Sequence, residues 1–321
     1  MSEPVDSSAR PGTVTEEIPA SLAGERLDRV VSLLAEVSRS AAAAMVAAGA
    51  ATVDGEPAAS GKVRLKAGQV VGVDLAFVPR ESPPQPDPSV EFRVIHSDDD
   101  VIVIDKPAGL VVHPGAGNEE HTLVNGLLAR FPEIASVGES HRPGIVHRLD
   151  VGTTGLLVVA RSTSAYQGLV EMLADREVSR RYIALVWGRP AAASGVIDAP
   201  IGRDPRDPLR MAVVTGGREA RTNYRVLQEF DEPRVTLVQC DLETGRTHQI
   251  RVHLQAVGTP VVGDPSYGGA RAPFVIGRPF LHAAELAFTH PVTGQPMSFS
   301  SPLPADLGGV LERCSVRPAD D

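Results

Sequence analysis

The stretch His147-Arg148-Leu149-Asp150-Val151-Gly152-Thr153-Thr154-Gly155, followed at once by Leu156-Leu157-Val158-Val159-Ala160, decides how this chain is read. One carboxylate sits between an arginine and a turn bracketed by two glycines, and an apolar run of strand composition fixes that turn to a core. Glycines three apart open backbone conformations closed to other residues and let a substrate come close. Asp150 is then either a reactive group presented on a loop or a carboxylate that ties down a strand-to-strand turn. The surrounding chain has to discriminate.

At 321 residues the chain exceeds one typical domain, so two domains plus tails are expected. Cys240 and Cys314 lie far apart and form no CxxC pair, which argues against a disulfide framework and a cysteine zinc site and fits a reducing cytoplasm. No uncharged apolar run approaches membrane-spanning length, and the polar N-terminus has no signal-peptide core. A net charge of −9 would ordinarily count against a nucleic-acid partner, because phosphate binding draws on Lys and Arg. Only Lys62, Lys66 and Lys106 are lysines among 31 cations, so the positive charge is nearly all guanidinium, able to pair bidentately and to stack on bases. A biased genome composition would produce the same count.

In chain order, a disordered tail is expected at 1–15 and a first folded unit at 16–78. Leu27, Val30, Val31 and Leu34 have helical spacing, 38–48 is a second helix-forming run stopped by Gly49, and Ala51-Thr52-Val53-Asp54-Gly55-Glu56 reads as a hairpin around Asp-Gly. Residues 70–75 read as a closing strand. The run PRESPPQPDPS at 79–89 has five prolines in eleven residues, which predicts an extended linker. A second domain is expected over 90–310, with 311–321 as a tail. Strands predicted at 90–95, 101–105, 179–188, 220–230, 234–242, 280–288 and 297–299 outnumber helices at 122–131, 164–177 and 247–257. That balance predicts an α+β fold with a mostly antiparallel sheet.

Several chemistries lack their residues. No Gly-x-Ser-x-Gly elbow or catalytic cysteine context is present. Gly115-Ala116-Gly117 lacks the third glycine and the strand-to-helix setting of a dinucleotide site. In Glu243-Thr244-Gly245-Arg246-Thr247-His248-Gln249-Ile250-Arg251-Val252-His253-Leu254, His248 and His253 are five apart, whereas ligands on one helix face are three or four apart, so a metal site is rejected. Thr247 is the expected N-cap of that helix. Asp150 has no sequence-evident twin, so an attack on a glycosidic bond would rest on a single carboxylate.

Three segments carry a resemblance. Arg142-Pro143-Gly144-Ile145-Val146-His147-Arg148-Leu149-Asp150, Arg181-Tyr182-Ile183-Ala184-Leu185-Val186-Trp187-Gly188 and Thr244-Gly245-Arg246-Thr247-His248-Gln249-Ile250-Arg251-Val252-His253 resemble, in order, the motifs of the RluA/RluD family of pseudouridine synthases. Thr154 stands where that family more often has serine. The unit at 16–78 resembles the small RNA-binding module first known from a small-subunit ribosomal protein, through Gly24-Glu25-Arg26-Leu27-Asp28, Ser38-Arg39-Ser40, Val53-Asp54-Gly55 and Leu65-Lys66-Ala67-Gly68-Gln69. Its second helix carries an alanine run, Ala41 to Ala44, where that module usually presents basic side chains, so a purely structural role stands beside an RNA-binding one.

The resemblance implies an RNA isomerase that detaches uracil from ribose, turns it and rejoins it through carbon five, with no cofactor and no metal. It implies that Asp150 is the essential carboxylate, which attacks the anomeric carbon or removes a ribose proton. Arg251 is implied as its charge partner, Tyr182 as the residue against the uracil face, and Arg148 as the side chain that enters the RNA when the base is flipped out. His147, His113, Arg246 and His248 are expected to shape the pocket or hold phosphate. The implied substrate is structured RNA, foremost that of the large ribosomal subunit, and the implied state a cytoplasmic monomer. Two other readings are a non-catalytic RNA-binding ribosome-assembly factor on the same fold and a nucleosidase that releases free base.

Overall fold

Leu27, Val30, Val31 and Leu34 recur at helical spacing, and their stripe needs an apolar partner to bury against. The computed structural model describes residues 12–315 other than 36, 38, 78–82, 115–117, 119, 206 and 208–209. Two units divide between Ser82 and Pro83. In the first, β1 (Thr13–Glu17), α1 (Leu27–Leu34), α2 (Arg39–Ala47), β2 (Ala51–Val53), β3 (Glu56–Pro57) and β4 (Val70–Asp74) follow one another. The strands form an antiparallel sheet in the order β1-β4-β2-β3. Leu27, Val30 and Val31 of α1 and Met45 of α2 pack with Val71 and Val73 of β4. Asp54 and Gly55 both take positive φ, as the two central residues of a tight hairpin turn require. Ala43 and Ala44 of α2 are exposed, while Arg39 is drawn to buried Asp28 at 3.1 Å.

The second unit adds β5 (Arg93–Ser97), β6 (Val101–Lys106), α3 (Leu123–Arg130), β7 (Thr154–Ala160), α4 (Thr163–Ala174), β8 (Ser179–Trp187), β9 (Ser194–Asp198), β10 (Ile201–Arg203), β11 (Met211–Val213), β12 (Arg221–Phe230), β13 (Val235–Leu242), α5 (Gln249–Ala256), β14 (Leu281–Thr289), β15 (Pro296–Ser300) and α6 (Ala305–Ser315). A nine-stranded sheet runs β5-β6-β7-β14-β8-β13-β12-β9, with β15 also on β14, and β10 pairs with β11 apart from it. Only β7 and β14 run parallel; the other described pairings are antiparallel, so the architecture is the α+β one expected. The run Leu156 to Ala160 does not alternate because β7 is buried on both faces. Leu157 and Val159 join one core with α3 and α5, and Leu156, Val158 and Ala160 join another under α4.

Three expected boundaries change. The strand β1 begins at Thr13, inside the segment expected to be tail, because pairing with β4 supplies what its single valine cannot. Residues 83–89 are not a free spacer: Gln85 O accepts from Asn125 Nδ2 at 2.7 Å and Asp87 N donates to Asn125 O at 2.9 Å, which straps this extended run onto α3. Residues 311–315 belong to α6, whose Leu307, Val310 and Cys314 are buried against the sheet. Residues 1–11, 79–82 and 316–321 of the expected tails and linker, and Gly115 to Gly117, lie outside the described residues.

The glycines of the opening stretch serve the protein's own packing and not the approach of a substrate. Gly155 has φ +110°, and a Cβ there would lie 2.2 Å from Ala283 O of β14, the strand that pairs with it. At Gly152 a Cβ would lie 2.9 Å from Pro279 Cδ. Gly155→Ala therefore combines a strained conformation with a backbone clash, and a loss of about 2–4 kcal/mol of stability is expected in denaturant unfolding. A loss below about 0.5 kcal/mol, the range of neutral surface changes, would contradict this account.

Candidate active site

One row of the sheet sets the positions. Tyr182 of β8 pairs with Ala283 of β14, and Ala283 pairs with Gly155 of β7, so the loop carrying Asp150 enters the sheet two strands from Tyr182. Across β8 the same tyrosine pairs with Cys240 of β13, the strand whose end leads into α5. A cavity of about 590 Å3 opens at this point, and Asp150, Tyr182, Arg251, Arg148, His147, Arg246, His248 and His113 all line it. Folding thus brings together residues up to 140 positions apart, from His113 to His253's neighbour Arg251, around one space.

Arg251 Nη1 donates to Asp150 Oδ2 at 3.0 Å. Its opposite edge is held by Asp264, through Nε to Oδ2 at 2.6 Å and Nη2 to Oδ1 at 2.9 Å. Asp264 is fully buried and is itself fixed by the Ser266 and Tyr267 backbone N–H groups, at 2.9 and 3.2 Å. Burial works against the guanidinium charge, but the hydrogen bonds and attraction of Asp264 and Asp150 push the Arg251 pKa above its ordinary value. The Tyr267 ring lies 4.9 Å from Cζ of Arg251, and its hydroxyl meets His248 Nδ1 at 2.8 Å. Neither Asp264 nor Tyr267 was a candidate in the sequence: nothing in their spacing links them to Arg251, and only the fold brings that turn under α5.

The start of α5 differs from expectation. His248, not Thr247, is the N-cap, in the left-handed region at φ 58° and with no side-chain cap bond. Gln249 does the work of holding the turn. Its Oε1 accepts from Thr244 Oγ1 and Arg246 N, and its Nε2 donates to Arg221 O and Thr222 Oγ1, so a buried amide has all its bonds made. His253 is fully buried between Thr222 Oγ1 and Ala199 O and is structural.

The cavity histidines are held neutral. Burial, aided by nearby Arg180, pushes His147 down to about 3, and its Nε2 accepts from Val158 N at 3.1 Å, so its proton sits on Nδ1. Burial also lowers His113 and His248. The side chains suited to meeting phosphate are therefore arginines: six line the cavity against three carboxylates, which reconciles a local positive site with a net charge of −9. Arg148 is exposed on the rim, and Arg246 Nε donates to Glu219 O at 2.8 Å. Burial raises Tyr182 to about 12, so it stands in the cavity as a neutral phenol at pH 7. Thr153 Oγ1 and Arg180 Nε are buried polar atoms without a hydrogen-bond partner, and both belong to lining residues. Among the described residues no group of three or more His, Cys, Asp or Glu side chains is placed to hold a metal ion, and no helix is long and apolar enough to cross a membrane.

The Asp150 loop is held from behind by two basic side chains. Arg278 Nη1 donates to Gly152 O at 3.0 Å while pairing bidentately with Asp306, and fully buried Lys106 donates to Pro107 O, Leu110 O and Val151 O at 2.8, 2.9 and 3.4 Å. Burial pulls the Lys106 pKa down to about 7, Asp150 opposing and Arg278 adding to the drop. This pKa lies below the unfolded value, so between the two the unfolded chain binds the extra proton and stability rises with pH. From pH 7 to about 9, unfolding free energy should climb in the wild type and stay flatter in Lys106→Met. Parallel curves in urea titrations would mean that the lysine keeps its charge throughout.

Residues 100–256 match the RNA pseudouridylate synthase family, and residues 25–71 match the S4 domain. The chain is 46% identical over 320 residues to the ribosomal large subunit pseudouridine synthase D of Xanthomonas campestris pv. campestris, covering 95% of this chain and 92% of that one. It is 44% identical to the protein of the same name from Nitrosomonas europaea, over 95% and 89% of the two chains. Among solved structures, human RNA pseudouridylate synthase domain containing 1 superposes with a TM-score of 0.54 at 25% identity, over 74% of this chain and 100% of that one. Likeness of this extent, carried along nearly the whole length of both relatives, means that the chain belongs to the RluA/RluD family of RNA pseudouridine synthases, with an S4 domain ahead of its catalytic domain.

Proposed function

We propose that this protein isomerises specific uridines to pseudouridine in structured RNA, namely the ribosomal RNA of the large subunit, as a cytoplasmic monomer without a cofactor. The single observation that carries the reading is Asp150, ion-paired at 3.0 Å with an arginine whose other edge is locked to Asp264, on the wall of a cavity that also presents Tyr182. The named relatives, which act on the large ribosomal subunit by title, support the choice of RNA.

The isomerisation is balanced within one nucleotide. The bond from N1 to the anomeric carbon breaks, one from carbon five to that carbon forms, and the proton lost from carbon five is matched by one gained at N1. Asp150 starts the reaction, either by attack at the anomeric carbon or by removal of a ribose proton. Arg251 orients it, since a guanidinium already bidentate to Asp264 has one remaining direction to offer. Tyr182, a neutral phenol, lies against the face of the uracil. Arg148, exposed beside the cavity, occupies the stack that the flipped base leaves. His147, His113, Arg246 and His248 shape the pocket, the histidines as neutral hydrogen-bonding groups.

Tritium release from RNA labelled at carbon five of uridine should fall to background in Asp150→Asn with the fold intact; full activity in that variant would sink the proposal. Product chromatography separates pseudouridine from unchanged uridine and free uracil, the outcomes of the assembly-factor and nucleosidase readings. Tyr182→Ala removes a stacking face and should lower kcat/KM by about 5- to 150-fold, the equivalent of roughly 1–3 kcal/mol, with Tyr182→Phe much milder.

A further inference from the structure

Arg180 is the cavity guanidinium that the reaction as described does not use. It precedes Tyr182 by two residues on β8, so both side chains leave the same face of the strand, and both line the cavity. Its relative exposure is 7%, which is unusual for an arginine with no counter-ion. Three of the other cavity arginines have acidic partners: Arg142 pairs with Glu139, Arg176 with Glu219 and Glu243, and Arg251 with Asp150 and Asp264, while Arg246 is half-buried and donates to Glu219 O. Arg148 is exposed and open to solvent. Among the described residues no carboxylate lies within ion-pair distance of Arg180.

Its hydrogen bonds are equally sparse. Nε is buried with no acceptor, and Nη2 reaches Leu242 O and Glu243 O only at 3.5 Å each, the outer limit of a bond. The guanidinium packs against Gly245, where a Cβ would come 2.9 Å from Arg180 Nη1, so the glycine makes room for the arginine's own head group. A buried, unpaired charge of this kind is strongly unfavourable unless an anion completes it. A neutral base carbonyl would fill the vacant Nε–H but leave the charge unmatched. A phosphate does both, because a planar guanidinium edge fits two of its oxygens.

We propose that Arg180 receives a backbone phosphate of the RNA, one flanking the uridine held at Tyr182; this rests on the reading of the cavity as a pseudouridine synthase site. Arg180 is then a substrate-positioning residue that fixes the flipped nucleotide by its charge, separate from Asp150, which acts on the sugar. Burial lowers the Arg180 pKa below the ordinary arginine value, the direction expected of a cation whose partner arrives with the substrate.

The test is turnover of an unmodified transcript of large-subunit ribosomal RNA across a salt series. Arg180→Gln should lose about 10- to 100-fold in kcat/KM, mostly through KM. It should also flatten the slope of log kcat/KM against log salt by roughly 0.7–0.9, the release of one phosphate contact. Arg180→Lys, which keeps the charge, should retain the wild-type slope. Melting temperature should not fall in Arg180→Gln, since an uncompensated charge has been removed; should Gln misfold, Arg180→Met gives the same readouts with the aliphatic stem kept. An unchanged salt slope in the neutral variants overturns the proposal. So does an unchanged slope accompanied by inorganic phosphate raising the wild-type but not the variant melting temperature, which would make the site one for free phosphate. A wild-type protein that forms no pseudouridine in any RNA would instead remove the underlying assignment, so the two failures are distinguishable.

Discussion

Everything at the centre of this molecule depends on one guanidinium shared between two carboxylates. Arg251 gives its Nε and Nη2 edge to Asp264 and keeps Nη1 for Asp150. The bidentate pair removes the rotational freedom that would otherwise let a long side chain leave Asp150. Breaking such a buried pair by removing one partner costs about 3–5 kcal/mol, because the charge left behind has no water to turn to. The pairing therefore constrains every element that supplies a member: the turn of Asp264, the start of α5, and the loop before β7.

Those elements are each tied down by polar side chains that hydrogen-bond to the backbone around them. Gln249 secures the entry to α5, Asp264 is held by two backbone N–H groups, and Lys106 and Arg278 grip successive carbonyls behind Asp150. The loop's freedom is spent on fitting closely to β14, which is why Gly155 sits against Ala283 O with no room for a side chain. Rigid support on one side and orphaned polar atoms on the other is the division expected of a site whose missing partner is the substrate.

Much of this was legible beforehand because it is local. The helices α1 and α2, the Asp54-Gly55 hairpin and most strands of the second unit follow from periodicity and turn chemistry within a few residues. The eight candidate residues, seven of them from three motifs and His113 from outside them, line a single cavity. The elements that escaped, β1, β9, β10, β11 and α6, are short or weakly patterned; β1 and β9 depend on strands distant in sequence, and β10 and β11 are three-residue strands that pair with each other. Over residues 83–89 the proline run is neither helix nor sheet, and its carbonyl and N–H groups meet α3 through Asn125, a contact that composition cannot disclose.

The sequence by itself determined the family and, through three motifs that resemble that family's, singled out Asp150, Tyr182 and Arg251 as the groups proposed to react. Their electrostatic state was decided only by the tertiary structure. Charge balance depends on distance and on exclusion of water, and neither is a property of spacing along the chain. That is why Asp264, Lys106 and Gln249 carried no signal, why the histidines prove neutral, and why Arg180 emerges as a cation with its counter-charge missing.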